Sequence, residues 1–182
     1  MNFLDDEALV LKVQQGDHDA FALLVKKYLK LSVNFVSKVL QDKALAEDAV
    51  SEAFLKLWQK SDYYEVDKGA FKPWFFRLVL NSAYTLRRKK KVYEFLGEDL
   101  IAILPSADNQ YEVVKANQQT AKMDVVLAKL PQRQREAIVL KYYTQSSDKE
   151  GAKTMDISLK AYESLVVRAK QFLRKELKDG DI

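Results

Sequence analysis

An all-α chain is predicted by three features of this 182-residue sequence. Glycine occurs only five times and proline three times, and apolar residues recur over long stretches at the helical period of 3.6. No alternating apolar run is closed by the Asn-Gly or Asp-Gly turn that a hairpin favours. With 48% apolar residues the chain buries an ordinary core, in one or two domains.

Each helix carries its own signals. A first short helix, about Asp5 to Gln15, is ended by Gly16-Asp17. A long second helix follows, with Phe21, Leu24, Val25 and Tyr28 at i, i+3, i+4 and i+7. Asp42 reads as the N-cap of a third helix, because its carboxylate accepts from otherwise orphaned N–H groups. That helix sets Ala46, Ala49, Val50, Ala53, Phe54 and Leu57 on one apolar stripe and Asp48, Ser51, Glu52 and Leu55 on another. A polar loop, about Ser61 to Ala70, leads to a fourth helix with Pro73 in its first turn, where a missing N–H is tolerated. This helix is expected to end in the basic run Arg87-Arg88-Lys89-Lys90-Lys91.

The net charge of +4 hides an uneven distribution. Residues 1–91 hold 16 basic and 12 acidic side chains, 92–126 hold 2 and 6, and 127–182 hold 12 and 8. Two basic helical blocks joined by an acidic segment with Gly97, Pro105 and Ser106-Ala107-Asp108-Asn109 read as two small domains, 1–91 and 127–182, and a linker, 92–126. Within the linker, Leu100, Ile101, Ile103 and Leu104 are apolar enough to dock. In the last block a helix ending at Leu127-Ala128-Lys129-Leu130 is stopped by Pro131. Further helices are expected at about Gln132 to Tyr143, Asp148 to Met155 and Ser158 to Lys178. Helix, short turn, helix is the pattern of a helix-turn-helix DNA reader.

The absence of cysteine and the single histidine, His18, exclude disulfides, thiolate zinc sites and triads or metal clusters needing two imidazoles. His18 follows a turn and is assigned no chemistry. No glycine-rich phosphate loop, G-x-S-x-G or H-E-x-x-H occurs, so neither an enzyme nor a cofactor is expected. Asp5, Asp6 and Glu7 stand where a signal peptide is basic and then apolar, and no run approaches the roughly 20 apolar residues of a membrane span; the cytoplasm is expected.

Taken alone, the basic run on the fourth helix suits a solvated helix end as well as a nucleic-acid site. Aromatic residues change its meaning: Tyr63, Tyr64, Phe71, Trp74, Phe75, Phe76 and Tyr84 precede or accompany it. Cations neutralise phosphates and rings stack on bases, the combination that single strands require. Phe71, Phe75 and Leu78 share a face and are expected in the core. Tyr63 and Tyr64 in the loop, and Asn81, Tyr84 and Arg88 on the helix, are expected to meet a ligand such as a flipped base. The Asp48/Glu52 stripe fits a solvated face or a docking surface, and a metal pair least, since no third ligand is near.

The segments Asp17-His18-Asp19-Ala20-Phe21, Ala46-Glu47-Asp48-Ala49-Val50-Ser51-Glu52-Ala53-Phe54-Leu55-Lys56-Leu57-Trp58 and Gly69-Ala70-Phe71-Lys72-Pro73-Trp74-Phe75-Phe76-Arg77 with Asn81 resemble the extracytoplasmic-function (ECF) sigma factors of bacterial RNA polymerase. Leu130-Pro131-Gln132-Arg133-Gln134-Arg135-Glu136 and the following helix-turn-helix resemble the same family's second domain, in order and spacing. The resemblance spans nearly the whole chain. It implies that residues 1–91 are sigma domain two, docking on the polymerase core through Asp48, Ser51, Glu52 and Leu55. It implies that Asp62, Tyr63, Tyr64 and Lys68 in the loop, with Asn81, Tyr84, Arg87 and Arg88 on the helix, hold the near promoter element in its melted form. Residues 92–126 are then the linker toward the RNA exit path. Residues 127–182 are sigma domain four, gripping the polymerase flap and reading the far element through Ser158, Lys160, Ala161, Glu163, Ser164 and Arg168. An anti-sigma factor is a further implied partner.

Several residues depart from the family pattern. Gly151 falls where an apolar residue usually packs, Asp156 replaces the turn glycine and Ser146 a common leucine, so a loosely packed motif is expected. Glu163 and Leu165 stand where basic side chains are usual, and Thr85 where Asp is frequent. Far-element reading is therefore weak or of unusual sequence. Two alternatives to a promoter-specificity subunit follow: a helix-turn-helix regulator that binds duplex DNA without polymerase, and a protein-binding adaptor that has lost far-element reading.

Overall fold

A computed structural model describes residues 5–96 and 118–179. Eight helices run in the order α1 (Asp6–Gln14), α2 (His18–Leu40), α3 (Lys43–Lys60), α4 (Phe71–Leu96), α5 (Gln118–Lys129), α6 (Gln132–Tyr143), α7 (Asp148–Met155) and α8 (Leu159–Asp179). The predicted all-α class is the observed one, and most helix boundaries fall within a residue or two of the expectation.

Side-chain caps explain the starts. Asp5 accepts from the Ala8 N–H at 2.8 Å, Asp17 from Asp19 and Ala20 at 2.9 Å, and Asp42 from Leu45 at 3.0 Å. Ser147 and Glu150 form a reciprocal capping box on α7, and the Ser158 hydroxyl accepts from the Ala161 N–H on α8. The N-terminus of α4 is satisfied from another helix: Glu7 of α1 accepts from the Phe71 N–H at 2.9 Å. A carboxylate there also complements the helix dipole. Helix α4 departs from expectation by continuing through the basic run to Leu96, since nothing in Arg87–Lys91 breaks a helix. Helix α5 likewise begins at Gln118, inside the segment assigned to the linker. Gly97, Leu100, Ile101, Ile103, Leu104, Pro105 and 106–109 lie outside the described residues.

Helices α2, α3 and α4 pack side by side with α1 laid across α2 and α4. Tyr28 sits among Phe71, Phe75 and Phe76, with ring centroids 5.8, 5.4 and 6.0 Å away. Each such ring, fully buried, contributes roughly 1.5–3 kcal/mol relative to exposure. The Tyr28 hydroxyl donates to Asp6 at 2.6 Å, and burial together with that carboxylate raises its pKa far above the ordinary phenol value. His18 opens α2 and stacks on Trp58 at 4.5 Å, a packing contact.

In the second unit, α5, α6 and α7 all pack on α8. The loosely packed motif expected from Gly151 and Ser146 is not what the structure contains. Tyr162 of α8 is fully buried against Gly151, and its hydroxyl donates to the Ala137 carbonyl at 2.9 Å. The departure at position 151 makes room for that ring. Ser146 is buried against the Thr144 hydroxyl at 2.7 Å.

The two units touch, with α6 on α2 and α7 on α4. Lys38 pairs with Asp124 at 2.5 Å, Arg77 with Asp156 at 2.7 Å, and the Thr154 hydroxyl donates to the Pro73 carbonyl at 3.4 Å.

Candidate nucleic-acid interface

The loop between α3 and α4 is shaped by two 3₁₀ turns, Ser61–Tyr63 and Val66–Lys68. The Gln14 side-chain amide donates to the Ser61 and Tyr64 carbonyls at 2.8 and 2.9 Å, so α1 fixes the loop. These turns throw Tyr63 outward, 75% exposed, and Tyr64 inward, 3% exposed. The sequence expectation for Tyr64 is thereby corrected. Its ring packs on Phe71 and Trp74, its hydroxyl donates to the Gly69 carbonyl at 2.9 Å, and burial pushes its pKa up to about 12, with Glu7 and Asp6 adding. Tyr64 shapes the loop from within.

Tyr63 overhangs a cavity of about 500 Å³ between α3 and α4, whose walls include Trp74, Leu78 and Asn81 and whose cations are Lys56, Lys60 and Arg77. The chemistry is that of a nucleotide cradle: rings for stacking, an amide for hydrogen bonding to a base edge, and positive charge for phosphate. Lys56, Lys60, Trp74 and Arg77 were not among the contacts expected from sequence. Only the packing of α3 on α4 brings the two lysines to the aromatic wall, although their i, i+4 spacing was visible.

Asp62, Lys68, Asn81 and Arg88 are exposed, as expected of contact residues. Tyr84 and Arg87 differ, because α6 covers them. The Tyr84 hydroxyl is buried beside Glu136 and Gln132 without completing a hydrogen bond of ordinary geometry, and burial and Glu136 raise its pKa. One Arg87 guanidinium nitrogen is buried without a partner. The neighbouring Arg135 has its pKa lowered by burial and by Arg87. In this arrangement the Tyr84 hydroxyl and one of the Arg87 guanidinium nitrogens are withheld from a ligand.

On α3, Asp48, Ser51 and Leu55 are exposed and Glu52 is half-buried, all on one stripe. Glu52 pairs with Lys56 at 2.5 Å, which ties the stripe to the cavity wall. Ser158, which caps α8, and Lys160, Ala161, Glu163 and Arg168 on the helix are exposed, and Ser164 is half-buried. Leu165 is half-buried and packs against the core. A second, more apolar groove of about 370 Å³ lies between α5, α6 and α8, with Met123, Leu127, Tyr142 and Leu173 in its lining. Among the described residues no helix is long and apolar enough to cross a membrane, and no three His, Cys, Asp or Glu side chains cluster as a metal site would require.

Family models for sigma-70 region 2 and sigma-70 region 4 match residues 24–92 and 120–173. The RNA polymerase sigma factor NccH of Alcaligenes xylosoxydans xylosoxydans is 31% identical over 184 residues, covering 97% of each chain. The chain belongs to the ECF sigma factors. As a member of that family it acts with bacterial RNA polymerase in promoter-specific transcription initiation. The ECF sigma factor SigW of Bacillus subtilis (strain 168) is 26% identical over 93% of this chain and 95% of its own. The fold is similar to that of CnrH solved in complex with the cytosolic domain of CnrY, at a TM-score of 0.72 and 25% identity over 97% of this chain and 99% of that one. Sigma factors are generally regulatory proteins without enzymatic activity.

Proposed function

We propose that this sigma factor docks on core polymerase through Asp48, Ser51, Glu52 and Leu55 of α3 and holds the melted near promoter element in the cavity between α3 and α4. The observation that carries the reading is the convergence of Tyr63, Trp74, Lys56, Lys60, Arg77 and Asn81 on one cavity beside the exposed basic end of α4. Trp74 and Tyr63 stack on an unpaired base, Asn81 reads its edge, and Lys68, Arg77 and Arg88 neutralise flanking phosphates. Opening follows from differential affinity, since only single strands deliver a base to the rings.

The exposed face of α8, with Ser158, Lys160, Ala161, Glu163, Ser164 and Arg168, reads the far element in the major groove. Glu163 repels phosphate but accepts from a cytosine amine, so it biases sequence choice. The apolar groove between α5, α6 and α8 receives the polymerase flap. Residues 1–91 and 127–182 are the two functional domains, the protein works in the cytoplasm without an activity of its own, and an anti-sigma factor, as NepR is for the sigma factor RpoE of Bartonella quintana, is a partner of the same surfaces. Permanganate footprinting of promoter DNA with core polymerase tests the cavity. Trp74→Ala is expected to lose reactivity of the unpaired near-element thymines while polymerase association persists.

A further inference from the structure

We propose that Asp156 and single-stranded DNA compete for Arg77, so that the phosphodiester backbone of the melted promoter strand unlocks the second unit from the first. The proposal rests on the nucleic-acid reading of the cavity and adds to it a gate built from this chain's own residues. Arg77 stands between two cavities: it lines the one closed by Tyr63 and Trp74, and it also lines a smaller one of about 300 Å³ shared with Lys153 and Asp156 of the second unit. Its guanidinium is held by the Asp156 carboxylate at 2.7 Å. Asp156 is placed for this by the turn after α7, where it adopts a left-handed conformation with φ of 55°. A glycine there makes the same turn without reaching Arg77.

Two features make the contact exchangeable. The side chains of Arg77 and Asp156 are 46% and 71% exposed, so the pair is screened by salt and a phosphate reaches the arginine from solvent. A phosphodiester then replaces the carboxylate with a charge-assisted bond of the same kind. Next to this contact the seam is imperfect. Tyr84 and Arg87 of α4, with Arg135 and Glu136 of α6, each bury a polar atom without a completed hydrogen bond, and Arg87 and Arg135 set like charges together. Separation of the units hydrates all four groups, which offsets part of the cost of parting α6 from α2 and α7 from α4 and of breaking the Lys38–Asp124 pair, so loss of the latch shifts the balance toward opening. Opening also frees Tyr84 and Arg87, which lie on the flank of α4 that the second unit covers.

The test uses the full chain. Because it has no cysteine, Lys30→Cys on α2 and Gln171→Cys on α8, both exposed, accept a donor and an acceptor dye for energy transfer between the units. The probe is a single-stranded oligodeoxynucleotide of about 12 nucleotides, its affinity measured by anisotropy for the free chain and for its complex with core polymerase. Asp156→Asn and Asp156→Gly both tolerate the left-handed turn. They are expected to lower transfer without DNA and to tighten oligonucleotide binding by the free chain up to about fivefold, the range of one exposed ion pair. Arg77→Ala is expected to lower transfer but to weaken binding. If the Asp156 variants match the wild type in transfer and affinity while the oligonucleotide still binds, the gate is overturned and the nucleic-acid reading stands. If neither the variants nor the wild type hold the oligonucleotide, free or with polymerase, the nucleic-acid reading fails and the gate fails with it.

Discussion

The ring of Tyr162 fills the space that a side chain at residue 151 would need: a Cβ built on Gly151 lies 2.2 Å from Tyr162 Cζ and 2.4 Å from its hydroxyl oxygen. The ring is fully buried and tethered to the Ala137 carbonyl, so it has no free direction in which to retreat. Gly151→Ala is therefore expected to destabilise the second unit by about 1–3 kcal/mol, in spite of alanine's better helix propensity. Urea unfolding followed by circular dichroism measures this, and pairing it with Tyr162→Leu is expected to cost less than the sum of the single changes. A Gly151→Ala chain as stable as the wild type contradicts the tight packing described here.

Asp42 joins two parts of the first unit. Its carboxylate caps α3 at the Leu45 N–H and meets Lys90 of α4 at 2.7 Å. The backbone hydrogen bond first, and Lys90 second, hold its pKa below the usual carboxylate value. A depressed folded-state pKa means that the contribution to stability is complete above the unfolded value near 4 and is lost as pH falls through the folded one. Asp42→Ala is expected to cost about 1 kcal/mol at neutral pH and to flatten the acid limb of the stability profile below pH of about 4. Asp42→Asn keeps the cap and loses only the charge. Equal acid limbs in all three chains remove Asp42 from this role.

The docking stripe is tested without disturbing the cavity. Glu52→Lys breaks the pair with Lys56 on the cavity wall, so Asp48→Lys combined with Leu55→Ala is the cleaner change. Both positions are exposed, and the fold is expected to survive within about 0.5 kcal/mol per site. Affinity for core polymerase is expected to fall about tenfold or more, with the loss largest at low salt, where charge steering is strongest. Undiminished affinity in a titration rejects the stripe as an interface.

Arg88 is exposed on α4. Arg88→Ala is expected to weaken promoter-complex formation across all sequences alike and to reduce the magnitude of the salt slope by about one, the signature of one phosphate contact. A changed sequence preference with an unchanged slope assigns the residue to base reading instead.

The sequence disclosed most of this architecture because most of its determinants are local. The break at Gly16-Asp17, the cap at Asp42, the stop at Pro131 and the apolar stripe of α3 depend on neighbours within a turn or two, and the helices follow them. The exposed stripe on α3 was legible for the same reason, whereas the α8 positions came through the family resemblance. What the sequence concealed depends on contacts between distant segments. Tyr63 and Tyr64 are adjacent and chemically alike, and only the 3₁₀ turns anchored by Gln14 decide that one faces solvent and the other the core. Lys56 and Lys60 join the aromatic wall through tertiary packing, and polar atoms of Tyr84 and Arg87 are buried beside a helix some 50 residues away. Gly151 looked like a defect because its partner, Tyr162, lies on the next helix.

Reconstitution of the full chain with core bacterial RNA polymerase, followed by recovery of initiating templates from a random DNA pool, tests the central claim most directly. The account predicts a stable complex and transcripts that start at a fixed distance from a shared two-part sequence, with single-stranded reactivity at the nearer part. A chain that neither joins the core enzyme nor starts transcripts on any recovered template contradicts it.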